Sequence, residues 1–341
     1  MRTVLEGDPD VLRRGDLRLR GDVHLAGRRM STRRPVTFAN AAGETLFGIF
    51  HEPGTGAAGV GVVLLSPGVK SRVAPHRLYN KLTERLLRRG YSVLRFDFSG
   101  LGDSEGLVRE TLMADLYRSI QLGRYVDDTL AAIEWMRVHG GASRVILGGL
   151  CGGALTGLLT APQCAQVEGL FGLGMPVILD GSAVDKVATM SEGQRQGVRK
   201  KYLGKVLNLQ AWWRVLTLKS DFRLLWHSIV GRKRSLQHRA GDGLAVLGET
   251  GNPRFGPAMR DLLERGRPLL LVFSGADRLH WEYQEKFATP HTAELSRYST
   301  VDVVVIEKAN HVLTLPEWQE EFFAHCDRWL TEHFGEGPAR P

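Results

Sequence analysis

Gly149-Leu150-Cys151-Gly152-Gly153 sets a thiol among small residues. The segment follows an apolar β-type run at Arg144–Leu147 and precedes a helical segment at Ala154–Leu159. A side chain at the apex of such a strand-to-helix turn is pushed into unfavourable backbone angles. Its neighbours must be small for strand and helix to approach. The helix amino-terminus adds positive potential beneath it, which lowers a thiol's pKa. The same residues would also suit an inert cysteine in a Gly-rich turn. A nucleophile needs a base, and the base needs an orienting acid. Asp277 follows the apolar run Leu269–Phe273 in Ser274-Gly275-Ala276-Asp277, and His311 follows Val301–Ile306 in Lys308-Ala309-Asn310-His311. Both lie just past the carboxyl ends of expected parallel strands, where open α/β sheets bind ligands. The chain order of nucleophile, acid and histidine is the one this arrangement uses. His76, His280 and His291 are rival bases, and Cys164 and Cys326 rival thiols. His280 lies only three residues after Asp277, which suits a substrate-site or structural role better than that of the base. Cys164 sits in a connector, and Cys326 on an amphipathic helix reads as core.

A cysteine nucleophile forms a thioester acyl-enzyme, which transfers to an amine, thiol or alcohol as well as to water. Hydrolysis of an ester, lactone or thioester and acyl transfer to another acceptor are therefore both open. A third reading is a binding protein without catalysis.

Positioning these residues requires alternating strands and helices. Apolar β-type runs occur at Val60–Leu65, Tyr91–Phe98, Ser143–Leu147, Val167–Leu173, Pro268–Phe273 and Val301–Ile306. Helical periodicity occurs at about 76–89, 123–138, 153–160, 256–265 and 317–333. The alternation predicts an α/β fold whose mostly parallel sheet is covered on both faces. Val36–Asn40 and Thr45–His51 read as an antiparallel hairpin at one edge. Val145–Val167 carries no charge and is long enough to span a bilayer, but its five glycines favour a buried strand, turn and helix.

The 341 residues, 43% apolar and 24% charged, exclude disordered and fibrous classes. Three cysteines without metal-ligand spacing argue against a disulfide framework or a zinc site, and for a reducing compartment. No cofactor, metal or nucleic-acid partner is expected. The start of the chain lacks the apolar core of a secretory leader, so a cytoplasmic location is expected. The net charge of +8 is uneven. Residues 1–35 carry +4, residues 186–239 carry +11, and the remainder is mildly acidic. Residues 1–35 read as a flexible basic arm, of which 1–29 should be dispensable for folding, and 336–341 as a tail. Residues 178–250 break the strand–helix rhythm and read as a helical, basic insertion.

With Asp97-Phe98-Ser99-Gly100-Leu101-Gly102-Asp103-Ser104-Glu105-Gly106 added to the cysteine turn, Asp277 and His311, the chain resembles the α/β-hydrolase superfamily over residues 36–335. This last segment is similar to the loop after the fourth strand in serine-aminopeptidase-like and lysophospholipase-like members. Cys151 replaces the usual serine, as in dienelactone hydrolase-like enzymes. The Gly-Leu-Cys turn and the Arg/Trp-rich insertion are similar to hydrolases encoded beside exosortase systems. The resemblance implies a core at 36–177 and 251–335, a cap at 178–250 after the sixth strand, and a Cys151–His311–Asp277 triad. It implies an oxyanion hole from the backbone N–H groups of Gly152 and Val69, although Ser66-Pro67-Gly68-Val69 departs from the usual His-Gly opening. In a capped member the insertion lies above the nucleophile. Trp212, Trp213, Phe222 and Trp226 would then meet an acyl chain. Arg232, Lys233 and Arg234 would bind a carrier- or coenzyme A-borne phosphate, or an anionic membrane surface at the periphery of the cell membrane. The plainer alternative is that these residues form a solvated face.

Overall fold

A computed structural model of the chain describes residues 31–54, 59–180 and 243–335. Residues 1–30 of the arm, the tail at 336–341, and Trp212, Trp213, Arg232, Lys233 and Arg234 of the insertion lie outside the described residues. Residues 32–35, counted with the arm at 1–35 on sequence, instead open the first strand, where backbone pairing with residues 49–52 holds them despite their exposed side chains.

Eight strands form one sheet in the order β1-β2-β4-β3-β5-β6-β7-β8. They are β1 (Thr32–Ala39), β2 (Thr45–Glu52), β3 (Val60–Leu65), β4 (Ser92–Phe96), β5 (Arg144–Leu150), β6 (Val167–Leu173), β7 (Leu269–Ser274) and β8 (Val301–Ile306). β2 runs antiparallel to β1 and β4, and every other pair is parallel. The expected edge hairpin is present. Its turn is built by Asn40, whose side-chain oxygen accepts from the Ala42 and Glu44 N–H groups. β3, β4 and β7 are buried at every residue, which is why their sequences show no alternation. β8 closes the sheet and is only half-buried.

Helices cover both faces. α1 (Leu78–Arg88) buries Leu78, Leu82 and Leu86 on one face of the sheet. The carboxy-terminal helix, α8 (Pro316–Phe334), contributes Phe322, Phe323, Trp329 and Leu330 to the same cluster. The opposite face takes α2 (Met113–Gln121), α3 (Val126–His139), α4 (Gly152–Thr160) and α5 (Phe255–Glu264). Two short helices, α6 (Arg278–Tyr283) and α7 (Thr292–Leu295), follow β7. α2 escapes the periodicity analysis because it buries only Leu116, Ile120 and Gln121, while Met113 and the preceding Leu112 are exposed. The uncharged stretch Val145–Val167 is β5, a turn and α4. Among the described residues no helix is long and apolar enough to cross a membrane.

The two ends of the insertion lie side by side. Ile178 bridges Gly251, and Leu179 N–H donates to the Thr250 carbonyl at 2.8 Å. Residues 243–250, counted with the insertion on sequence, pack on the body: Leu244 is buried in the core, and Leu247 N–H donates to the Lys286 carbonyl.

Candidate active site

The turn after β5 explains its own sequence. Cys151 has φ 54° and ψ −117°, a conformation costly for any residue with a Cβ. It is held there from both sides: Cys151 N–H donates to Leu173 O at 2.8 Å, and Cys151 O accepts from Leu155 N–H at 3.1 Å. A Cβ on Gly149 would lie 2.4 Å from the Ala154 nitrogen, and one on Gly153 would lie 2.5 Å from the Leu65 oxygen. Only glycine lets β5, α4 and β3 approach this closely. Tyr79 of α1 completes the clamp from below. Its buried hydroxyl donates to Leu65 O at 2.7 Å and accepts from Leu150 N–H at 2.8 Å, joining the ends of β3 and β5 one residue before the cysteine. Burial pushes the Tyr79 phenol well above its ordinary range, so it stays a neutral donor.

His311 and Asp277 meet across the ends of β7 and β8. Their loops are joined by Gly275 N–H to Ile306 O, Ala276 N–H to Ala309 O, and Ser274 Oγ to Asn310 O. Asp277 caps α6, accepting from Leu279 N–H through Oδ1, and its Oδ2 accepts from His311 Nδ1 at 2.6 Å. Gly174 makes room for the ring: it has φ +58°, and a Cβ there would sit 3.2 Å from His311. With Nδ1 committed to Asp277, Nε2 is the imidazole nitrogen left for Cys151, which lines the same cleft. Burial works against the imidazolium, but the hydrogen bond to Asp277 and the influence of the Cys151 sulfur outweigh it and lift His311 to about 10.

Cys151, Gly152, Asp277 and His311 line a cleft of about 400 Å³. Met113, Tyr117 and Ile120 of α2, Leu279 and Arg278 of α6, and Asp180 line it too. Gly152 is the first residue of α4, so its N–H has no intrahelical acceptor. Among the described residues neither that N–H nor the one of Val69 donates to a backbone carbonyl. Their loops touch: a Cβ on Gly152 would lie 3.0 Å from the Gly68 Cα.

The rival residues lie outside the cleft. Cys164 donates to Gln166 Oε1, and Cys326 is buried in α8, where desolvation raises its thiol pKa strongly. His291 Nε2 meets Ala245 O at 2.7 Å, and His280 packs on Phe273, its pKa lowered by burial. Neither these two histidines nor His76 lines the cleft. Asp97 faces inward, with no exposure, and accepts from the Arg72 N–H and guanidinium and from Asp103 N–H. The Gly-rich loop that begins at Asp97 therefore braces the structure beside the cleft. Sequence reasoning missed Tyr79, Tyr117, Asp180 and Arg278. Only Arg278 left a trace, as the residue immediately after the acid. Among the described residues no group of His, Cys, Asp and Glu is arranged to hold a metal ion.

Comparison with known proteins agrees with this architecture. The sequence model of the Alpha/beta hydrolase family matches residues 62–325. A search of curated protein sequences found no match. Among solved structures, an esterase of Pyrococcus furiosus is similar at a TM-score of 0.55 and 20% identity, over 89% of this chain and 92% of that one. A dienelactone hydrolase of Anabaena variabilis is similar at 0.51 and 13% identity, over 89% and 99%. A protein of unknown function from Agrobacterium tumefaciens, described as a putative alpha/beta hydrolase, is similar at 0.50 and 16% identity, over 90% and 100%.

Proposed function

The chain belongs to the α/β-hydrolase family, and from that premise we propose that it hydrolyses an ester or thioester of a small acyl group through Cys151, His311 and Asp277. One observation carries the reading. The thiol at the strained apex of the β5–α4 turn opens into the same cleft as an imidazole whose far nitrogen is fixed by a carboxylate at 2.6 Å. The Cys151 proton passes to His311 Nε2, giving a thiolate beside an imidazolium. That pairing agrees with the upward shift of His311. The thiolate attacks the acyl carbon, and the N–H groups of Gly152 and Val69 take the negative charge that develops on oxygen. When the intermediate collapses, the bond to the alcohol or thiol breaks, and the leaving group takes the proton from His311. A thioester on Cys151 remains. Water, losing a proton to His311, attacks that thioester and frees the acid and the thiol. An amine, thiol or alcohol reaching the same thioester would receive the acyl group instead.

The test is intact-mass detection of the acyl-enzyme with activated esters and thioesters. An adduct mapped to Cys151 that decays in water supports hydrolysis. One that persists until an amine, thiol or alcohol is added indicates acyl transfer. An adduct on Cys164, with Cys151→Ala still active, would remove the cysteine from the reaction.

A further inference from the structure

Arg278 directly follows Asp277 and opens the first turn of α6. Its side chain lines the cleft that holds Cys151, and 49% of it is exposed. Nη1 donates to Glu282 Oε1, one helical turn on, at 3.0 Å. The Glu282 side chain is only 3% exposed, so a buried carboxylate anchors an open guanidinium. Burial lifts the Glu282 pKa, and Arg278 opposes that lift, so each group holds the other. The remaining donors are less engaged. Nη2 lies 3.7 Å from Asp180 Oδ1, beyond hydrogen-bond length. Asp180 is fixed instead by Gln121, which donates to Oδ2 at 3.2 Å and accepts from Asp180 N–H at 2.7 Å. Among the described residues, Nε and Nη2 of Arg278 have no hydrogen-bond acceptor.

A guanidinium anchored at one nitrogen, on a side chain that lines the nucleophile's cleft and with donors not hydrogen-bonded among the described residues, is pre-organised for the two-point binding that carboxylates and phosphates accept. We propose that Arg278 seats an oxyanion of the substrate, a carboxylate or a phosphate, and thereby selects acidic esters or thioesters. This rests on Cys151 as nucleophile. Asp180 is a second carboxylate of the cleft, beside Asp277, and competes for the same guanidinium. Removing its charge should strengthen the preference, whereas removing the guanidinium should abolish it.

Paired thioesters of N-acetylcysteamine test this directly. The leaving group is neutral, and the acyl group is either hexanoyl or adipoyl, which adds a terminal carboxylate. Arg278→Gln should lower the adipoyl-to-hexanoyl ratio of kcat/KM by about tenfold or more, the scale of a charge-assisted bond. Asp180→Asn should raise it. If Arg278→Gln instead lowers the ratio of hexanoyl-coenzyme A to hexanoyl-N-acetylcysteamine, the oxyanion is the carrier phosphate. Should Arg278→Gln fold poorly, the pair Arg278→Gln/Glu282→Gln carries the same reading. Ratios unmoved in these variants and in Asp180→Asn would overturn the proposal. The Cys151 adduct, followed by mass on the same thioesters, reports the nucleophile separately. An intact adduct with unmoved ratios sinks the Arg278 assignment alone.

Discussion

Two glycine-rich turns leave the carboxyl ends of the parallel strands that flank β3, one after β4 and one after β5. Each carries a reactive group among glycines, and each is tight enough that a Cβ would collide. The turn after β4 closes on its own side chain. A Cβ on Gly102 would lie 2.2 Å from Asp97 Oδ2, and the carboxylate is fully buried against Arg72 and the Asp103 N–H. The turn after β5 closes on backbone, as Gly149 meets α4 and Gly153 meets Leu65. That leaves Cys151 facing the cleft. The same local chemistry thus yields a brace in one case and a site in the other. The difference lies in where the polar group's partners are. Asp97 is satisfied from within its loop and from Arg72, whereas the partner proposed for Cys151, His311, comes from beyond β8.

The comparison predicts opposite phenotypes. Cys151→Ala should lower turnover by about 10⁴-fold or more, with thermal unfolding within a few degrees of wild type, since no fold-bearing bond is lost. Steady-state kinetics beside calorimetry checks both halves. His311→Ala should cost more activity than Asp277→Ala, because the histidine moves protons and the acid orients it.

Asp97→Ala should do the reverse. It leaves the largely buried Arg72 without its inward partner, a loss of about 3–5 kcal/mol. Acyl-enzyme formation on whatever remains folded should persist. A stable but inactive Asp97→Ala protein would place that carboxylate in the chemistry and dissolve the contrast.

Tyr79→Phe falls between the two. It strands Leu150 N–H and Leu65 O in the core, which costs about 1–3 kcal/mol in denaturant titration. It should also slow acylation of Cys151, because the clamp lies directly under the turn.

The smallest effect is in pH. His311 is held at about 10 in the fold, against about 6.5 for a free imidazole. Between those values the folded state binds the extra proton, so its contribution is complete below pH 6.5 and is lost as pH rises through 10. The melting-temperature advantage of wild type over His311→Gln should therefore shrink from pH 6.5 to 10. A constant gap would mean that the pair with Asp277 and Cys151 does not favour the imidazolium.

The strands were legible because a sheet buried on both faces writes itself as apolar runs, and β3 and β6 match those runs end to end. The turn at Cys151 was legible because steric closeness demands glycine at fixed offsets, and that demand is local. Asp277 and His311 were legible because strand ends of a parallel sheet converge whatever lies between them. Tyr79 was not, since a buried tyrosine on an amphipathic helix looks like any core residue until α1 is laid across β3 and β5. Asp180 and Arg278 were not, because their meeting depends on how β6 exits and how α6 begins, nearly a hundred residues apart. The sequence by itself determined the order of elements, the glycine-bound turn at Cys151 and the strand-end positions of Asp277 and His311, all set by short-range sterics and burial. Only the tertiary structure decided which polar groups face the cleft and which are sealed beneath it. Whether a charge is solvated or paired depends on neighbours that the chain brings together from distant positions.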